Sequence, residues 1–135
     1  MAKKILIVDD EPNIVTLLAS RIMANGYEVA TAYDGVQALR QLNQENPHLV
    51  ILDFKMPAGD GLTVYENIKR IKHKAGIPVI FITAYPSQEI RDEVMGMGAA
   101  DFITKPFNAE ELLAKIEKVL AETAYDPETG REEEQ

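Results

Sequence analysis

Three segments, at 4–8, 49–52 and 79–82, are nearly continuous runs of Ile, Val, Leu and Phe. A strand with one face in water alternates apolar and polar residues, whereas a strand buried on both faces does not. The runs therefore predict a parallel sheet with helices packed on both sides. Two further segments, Tyr27-Glu28-Val29-Ala30-Thr31-Ala32 and Asp101-Phe102-Ile103-Thr104, have strand character but carry polar residues. Their mixed composition places them at the sheet edges.

Helical segments alternate with these strands. Pro12 stands where a missing N–H costs nothing, in the first turn of a helix. Ile14, Leu17, Leu18 and Ile22 follow at helical spacing, and Asn25-Gly26 ends the segment. Asp34-Gly35 opens a second helix with Ala38, Leu39 and Leu42, closed by Asn46-Pro47. Gly59-Asp60-Gly61 leads into a third with Leu62, Tyr65, Ile68 and Ile71. Ser87 caps a fourth with Ile90, Val94 and Met95, ended by Gly96 and Gly98. Asn108, with Glu111 three residues on, caps a fifth whose stripe is Leu112, Leu113, Ile116, Val119 and Leu120. Five βα units with right-handed crossovers give an α/β three-layer sandwich. Three apolar central strands and two polar edges suit the flavodoxin-like strand order 2-1-3-4-5.

That order gathers the strand ends along one edge, where ligands of open α/β sheets bind. The first strand stops at Asp9 and Asp10, the third at Asp53, the fourth at Thr83 and the fifth at Lys105. Each residue alone has an ordinary structural role, as a helix cap, a loop acid, a β-branched strand end or a solvated lysine. None of those roles explains their coincidence at four strand ends. Clustered carboxylates repel one another unless a cation intervenes. Magnesium suits such a pocket because it takes oxygen ligands and retains waters. Asp10 and Asp53 are direct ligand candidates, Asp9 lies close or acts through water, and the backbone carbonyl of Lys55 is within reach of the same ion. A carboxylate in this setting is also a nucleophile toward phosphorus. Asp53 stands alone at the end of the central strand and is the candidate, with Lys105 and the Thr83 hydroxyl as partners for phosphoryl oxygens.

At these residues the chain resembles the response-regulator receiver domain of bacterial two-component signalling, in its chemotaxis-regulator-like form. The resemblance runs from about Lys3 to Leu120 and rests on ILIVDDE, LVILDFKMPAGDG, VIFITAY and GAADFITKPF, in that order. It implies that Asp53 is a phosphoacceptor loaded from a phosphohistidine on a histidine kinase or histidine phosphotransfer protein. It implies that Asp9 and Asp10 hold Mg2+, with Mn2+ an alternative, that Thr83 and Lys105 complete the site, and that the Lys105–Pro106 bond is cis. Phe102 matches the switch aromatic and Ala84 the small residue beside the phosphate. Lys55 and Tyr85 match positions that tune phosphoryl lifetime, and their bulk predicts slow self-dephosphorylation. Phosphorylation would switch the surface of helix 4, strand 5 and helix 5 toward a downstream effector protein or domain, and a homodimer could use that face. Such a module catalyses only its own phosphorylation and dephosphorylation, so it is not read as an enzyme.

The competing expectation is a phosphatase or phosphotransferase of the haloacid-dehalogenase type, which also works through an aspartyl phosphate. Those proteins usually place a second Asp two residues after the nucleophile, where this chain has Lys55, and no insertion is long enough for their cap. Composition limits other classes. The 135 residues suit one domain, and a formal net charge of −8 disfavours direct nucleic-acid contact. Without cysteine there is neither a disulfide nor thiol chemistry. No apolar run approaches the ~18 residues of a membrane span, and the start MAKKILIVDDE has no signal cleavage site, so the expected compartment is cytoplasmic. His48 and His73 lie outside the cluster and read as surface or structural. Residues 1–122 are expected to form the receiver and 123–135 an acidic, flexible tail.

Overall fold

The computed structural model describes residues 2–54, 61–84 and 87–132. Five strands, β1 (Lys4–Val8), β2 (Glu28–Ala32), β3 (Leu49–Asp53), β4 (Val79–Thr83) and β5 (Asp101–Thr104), alternate with five helices. These are α1 (Pro12–Ala24), α2 (Gly35–Glu45), α3 (Gly61–Arg70), α4 (Gln88–Gly96) and α5 (Ala109–Glu122). The strands pair in parallel in the order β2-β1-β3-β4-β5, as their composition predicts.

The apolar runs are continuous because each strand feeds two cores. Leu6, Val8, Val50, Leu52, Val79 and Phe81 face α2, α3 and α4, where Leu42, Tyr65, Ile68 and Val94 meet them. Ile5, Ile7, Leu49, Ile51, Ile80 and Ile82 face α1 and α5, meeting Val15, Leu18, Ile22, Leu112 and Ile116. Phe81 lies edge-on to Tyr65, with ring centres 5.2 Å apart, an arrangement that adds a specific contact to the burial. At the β2 edge, side chains of α2 meet two backbone groups: Gln41 donates to the Thr31 carbonyl at 3.2 Å and Gln37 accepts from the Tyr33 N–H at 2.9 Å. Occupied groups make an edge a poorer template for another strand.

Capping follows the sequence closely. Asp34, Ser87 and Asn108 each accept an N–H of the first turn, from Gln37, Ile90 and Glu111 respectively. One expectation needs correction. In α1 the buried stripe is Val15, Leu18 and Ile22, and Leu17 is 61% exposed. A helix buries residues spaced three and four apart, and the 15-18-22 ridge faces the sheet, which turns Leu17 outward. The acidic stretch beyond α5 carries a further element. Residues Tyr125–Asp126 (β6) and Arg131–Glu132 (β7) form an antiparallel hairpin, and Tyr125 is buried. One aromatic anchor and a turn closed from Gly130 N–H to Asp126 O outweigh the polar composition of the stretch. Residues 133–135 lie outside the described residues.

His48 is structural, and its Nδ1 accepts the Lys4 N–H at 3.0 Å. Burial, then the nearby Lys3 charge, hold its pKa below the usual 6.5. The unfolded chain therefore binds the proton more readily than the folded one. His48 contributes its full stabilisation above pH 6.5 and loses it as pH falls through the lower folded value. Denaturation from pH 7.5 to 5.5 should show a steeper loss of stability in the wild type than in His48→Gln, and parallel curves would refute the assignment.

Candidate functional site

The parallel register sets the site. Val8 pairs with Leu52, so Asp9 follows on the same level as Asp53, and Asp53 pairs with Ile82, one residue before Thr83. Thr83 in turn pairs with Thr104, which precedes Lys105. Asp9, Asp53 and Thr83 are buried although polar. Asp9 is held from both sides: Oδ1 accepts the Glu11 N–H at 3.0 Å, and Oδ2 accepts from Lys105 Nζ at 2.9 Å. Lys105 Nζ also lies 3.5 Å from Asp53 Oδ2 and 3.8 Å from Glu11 Oε1. The Lys105 N–H bonds the Thr83 carbonyl at 2.7 Å, and the Lys105–Pro106 peptide is cis.

Asp53 ends its strand under tight restraint. The next residue, Phe54, donates its N–H to the Ile82 carbonyl at 2.8 Å and accepts from Gly61 N–H at 2.7 Å. A Cβ on Gly61 would fall 2.1 Å from the Asp53 carbonyl oxygen, so only glycine lets α3 start this close to the strand.

One oxygen from each of Asp9, Asp10 and Asp53 lies within 4.8 Å of the others. Three carboxylates thus face one ammonium. Burial by itself would lower the Lys105 pKa, but the hydrogen bond it donates to Asp9 and the charges of Asp53, Asp9 and Glu11 outweigh it, and the value is raised. The ammonium stays charged throughout the physiological range. The surplus negative charge and the hard oxygen donors fit a small divalent cation.

All the strand-end residues expected from sequence therefore arrive at one sheet edge. Glu11 was not among the residues expected at the site, yet its carboxylate joins the group through Lys105. Lys55 and Tyr85 lie outside the described residues. Ala84 lines a cavity of about 440 Å³ with Ile14, Leu17, Leu18, Lys105 and Phe107. Phe102 is half-buried, packs against the α2-α3-α4 core and borders a cavity of about 560 Å³ together with Arg91 of α4 and Glu111 and Lys115 of α5. Lys115 also pairs with Asp101 at 3.2 Å, a contact across β5 and α5 that spacing alone does not reveal.

The family model of the response regulator receiver domain matches residues 5–117. The chain belongs to that family. Among relatives of this receiver domain, the DNA-binding dual master transcriptional regulator RpaA of Synechocystis is 37% identical over 133 residues, 97% of this chain and 54% of that protein. The alkaline phosphatase synthesis transcriptional regulatory protein PhoP of Bacillus subtilis is 41% identical, over 89% of this chain and 49% of its own length. The receiver thus spans about half the length of these curated relatives. Among solved structures, a CheY-like receiver domain protein from Methanospirillum hungatei aligns with a TM-score of 0.84 and 32% identity, covering 90% of this chain and 96% of that one. Receiver domains are phosphoacceptor signalling modules, and the haloacid-dehalogenase alternative gains no support from these matches. No helix among the described residues is long and apolar enough to cross a membrane.

Proposed function

We propose that Asp53 accepts a phosphoryl group from a phosphohistidine of a histidine kinase or histidine phosphotransfer protein in the cytoplasm. The observation that carries this reading is the Asp53 carboxylate at a strand end, 3.5 Å from Lys105 Nζ and beside Asp9 and Asp10. An Asp53 oxygen attacks phosphorus while the P–N bond to the donor imidazole breaks, and the departing imidazole takes up a proton. The product is an aspartyl phosphate. Lys105 moves its ammonium from the carboxylates to a phosphoryl oxygen, and the Thr83 hydroxyl donates to another. Asp9, Asp10 and Asp53, with the Lys55 backbone carbonyl, would hold Mg2+ or Mn2+, whose charge offsets that of the phosphoryl oxygens.

The donor must bring its histidine to the rim of the sheet edge. Leu17, Ile14 and Phe107 offer apolar surface there, adjacent to Lys105. Movement of the Thr83 hydroxyl toward the phosphate leaves space that Phe102 enters, which alters the α4-β5-α5 face for an effector protein or domain, or for a second copy of the chain. Phenylalanine has no hydroxyl, so that switch works through packing. Bulky Lys55 and Tyr85 shield the product from water and lengthen its lifetime.

The test is incubation with a small phosphodonor and Mg2+, then intact-mass and peptide analysis. One phosphoryl group should appear on the peptide containing Asp53, and a chelator should suppress it. Label elsewhere, or uptake indifferent to the chelator, would overturn the proposal.

A further inference from the structure

We propose that residues 123–130 are a strap that crosses beneath the sheet and ties the end of α5 to the loop between α3 and β4. The two cores lie on opposite faces of the sheet. α5 buries Leu112, Ile116 and Val119 in the core it shares with α1. Three residues beyond the end of α5, Tyr125 is buried in the other core, with α2, α3 and α4. The chain therefore passes under the end of the sheet opposite the carboxylate cluster and anchors on the far side.

Both limbs of the hairpin meet the same stretch of backbone. The Tyr125 hydroxyl donates to the His73 carbonyl at 3.2 Å. Gly130, at φ +67°, lies so close that a Cβ would stand 2.3 Å from that carbonyl oxygen. The loop they grip is itself fastened to two helices. The buried Lys74 donates to Asn46 Oδ1, 2.5 Å away, on the left-handed residue that ends α2. Lys69 of α3 donates to the Ala75 carbonyl at 3.0 Å. The strap thus joins α5 to a junction that already holds α2 and α3.

This gives the hairpin a mechanical role. α5 carries Glu111 and Lys115 on the cavity beside Phe102. Any rigid shift of α5 must either carry the strap with it, disturbing the α3–β4 loop, or release Tyr125. Local opening of the strap and of the loop are accordingly one event, separable from global unfolding.

Hydrogen exchange on the full chain tests this in the wild type, Tyr125→Phe, Tyr125→Ala and Gly130→Ala. The Lys74, Ile77 and Thr123 amides bond to Ile71, Lys74 and Val119 carbonyls and report on the two ends of the strap. Tyr125→Ala and Gly130→Ala should speed exchange at all three amides together, by about tenfold, with β1 and β3 amides unchanged. Tyr125→Phe keeps the ring and loses one hydrogen bond, so about threefold is expected at Lys74 and Ile77. Acceleration confined to the hairpin would overturn the strap. Equal acceleration throughout the sheet would also overturn it, marking Tyr125 as an ordinary core residue. If Tyr125→Ala fails to fold, the other two variants decide.

Discussion

Asp53→Asn should abolish phosphoryl uptake, with a drop of at least ~100-fold in the labelled fraction under conditions that saturate the wild type. Asparagine has nearly the shape of aspartate, so it should fill the same buried position at the end of β3. Its amide is a poor nucleophile toward phosphorus, so the chemistry is lost while the packing stays. The substitution also removes one of the three clustered carboxylates, which relieves repulsion within the group. The variant should therefore melt no lower than the wild type without divalent cation, and its melting temperature should rise less when Mg2+ is added. Scanning calorimetry with and without Mg2+ checks both statements alongside the mass measurement. Undiminished uptake by a folded Asp53→Asn protein would remove Asp53 from the mechanism.

Lys105→Met has the second large effect, and it falls on stability as well as on reactivity. The wild-type ammonium bonds Asp9, which is fully buried, and lies near Asp53. Methionine supplies similar bulk and no charge. Removing one partner of a buried pair leaves the other charge uncompensated, which costs about 3–5 kcal/mol. Denaturant titration in a chelator at neutral pH should show that loss. Mg2+ should restore more stability to Lys105→Met than to the wild type, because the cluster without lysine is more negative and holds a cation more tightly. Phosphoryl uptake should nevertheless stay depressed by about 100-fold at saturating Mg2+, since the cation does not replace the donor to the second phosphoryl oxygen. Wild-type stability in Lys105→Met without Mg2+ would show that the ion pair contributes nothing net. The raised Lys105 pKa fixes the sign of the pH effect. From neutral pH up to about 10.5 the pairing contributes its full stabilisation, and it is lost as pH rises through the folded value.

What the amino-acid order determined by itself was the repeating pattern and its chemistry. Doubly buried strands have no polar positions, so the runs at β1, β3 and β4 name the central sheet, and the mixed composition of β2 and β5 names the edges. Caps such as Asp34, Ser87 and Asn108 act on residues two or three positions away and are local by nature. Strand-end placement of Asp9, Asp53, Thr83 and Lys105 follows from the same pattern, because parallel strands share one polarity.

Only the tertiary structure decided matters that depend on which surfaces meet. Val15 and Leu17 are both apolar, and the angle at which α1 rests on the sheet selects which is buried. Glu11 enters the cluster through Lys105, ninety-four positions away in a chain whose spacing gives no hint of the encounter. Tyr125 is one aromatic residue in an acidic stretch that local rules assign to solvent, and it is buried because the fold brings an apolar core within its reach and a carbonyl at His73 to bond. Periodicity records how a segment divides itself between core and water. It carries no information about a contact that exists only once distant segments have packed.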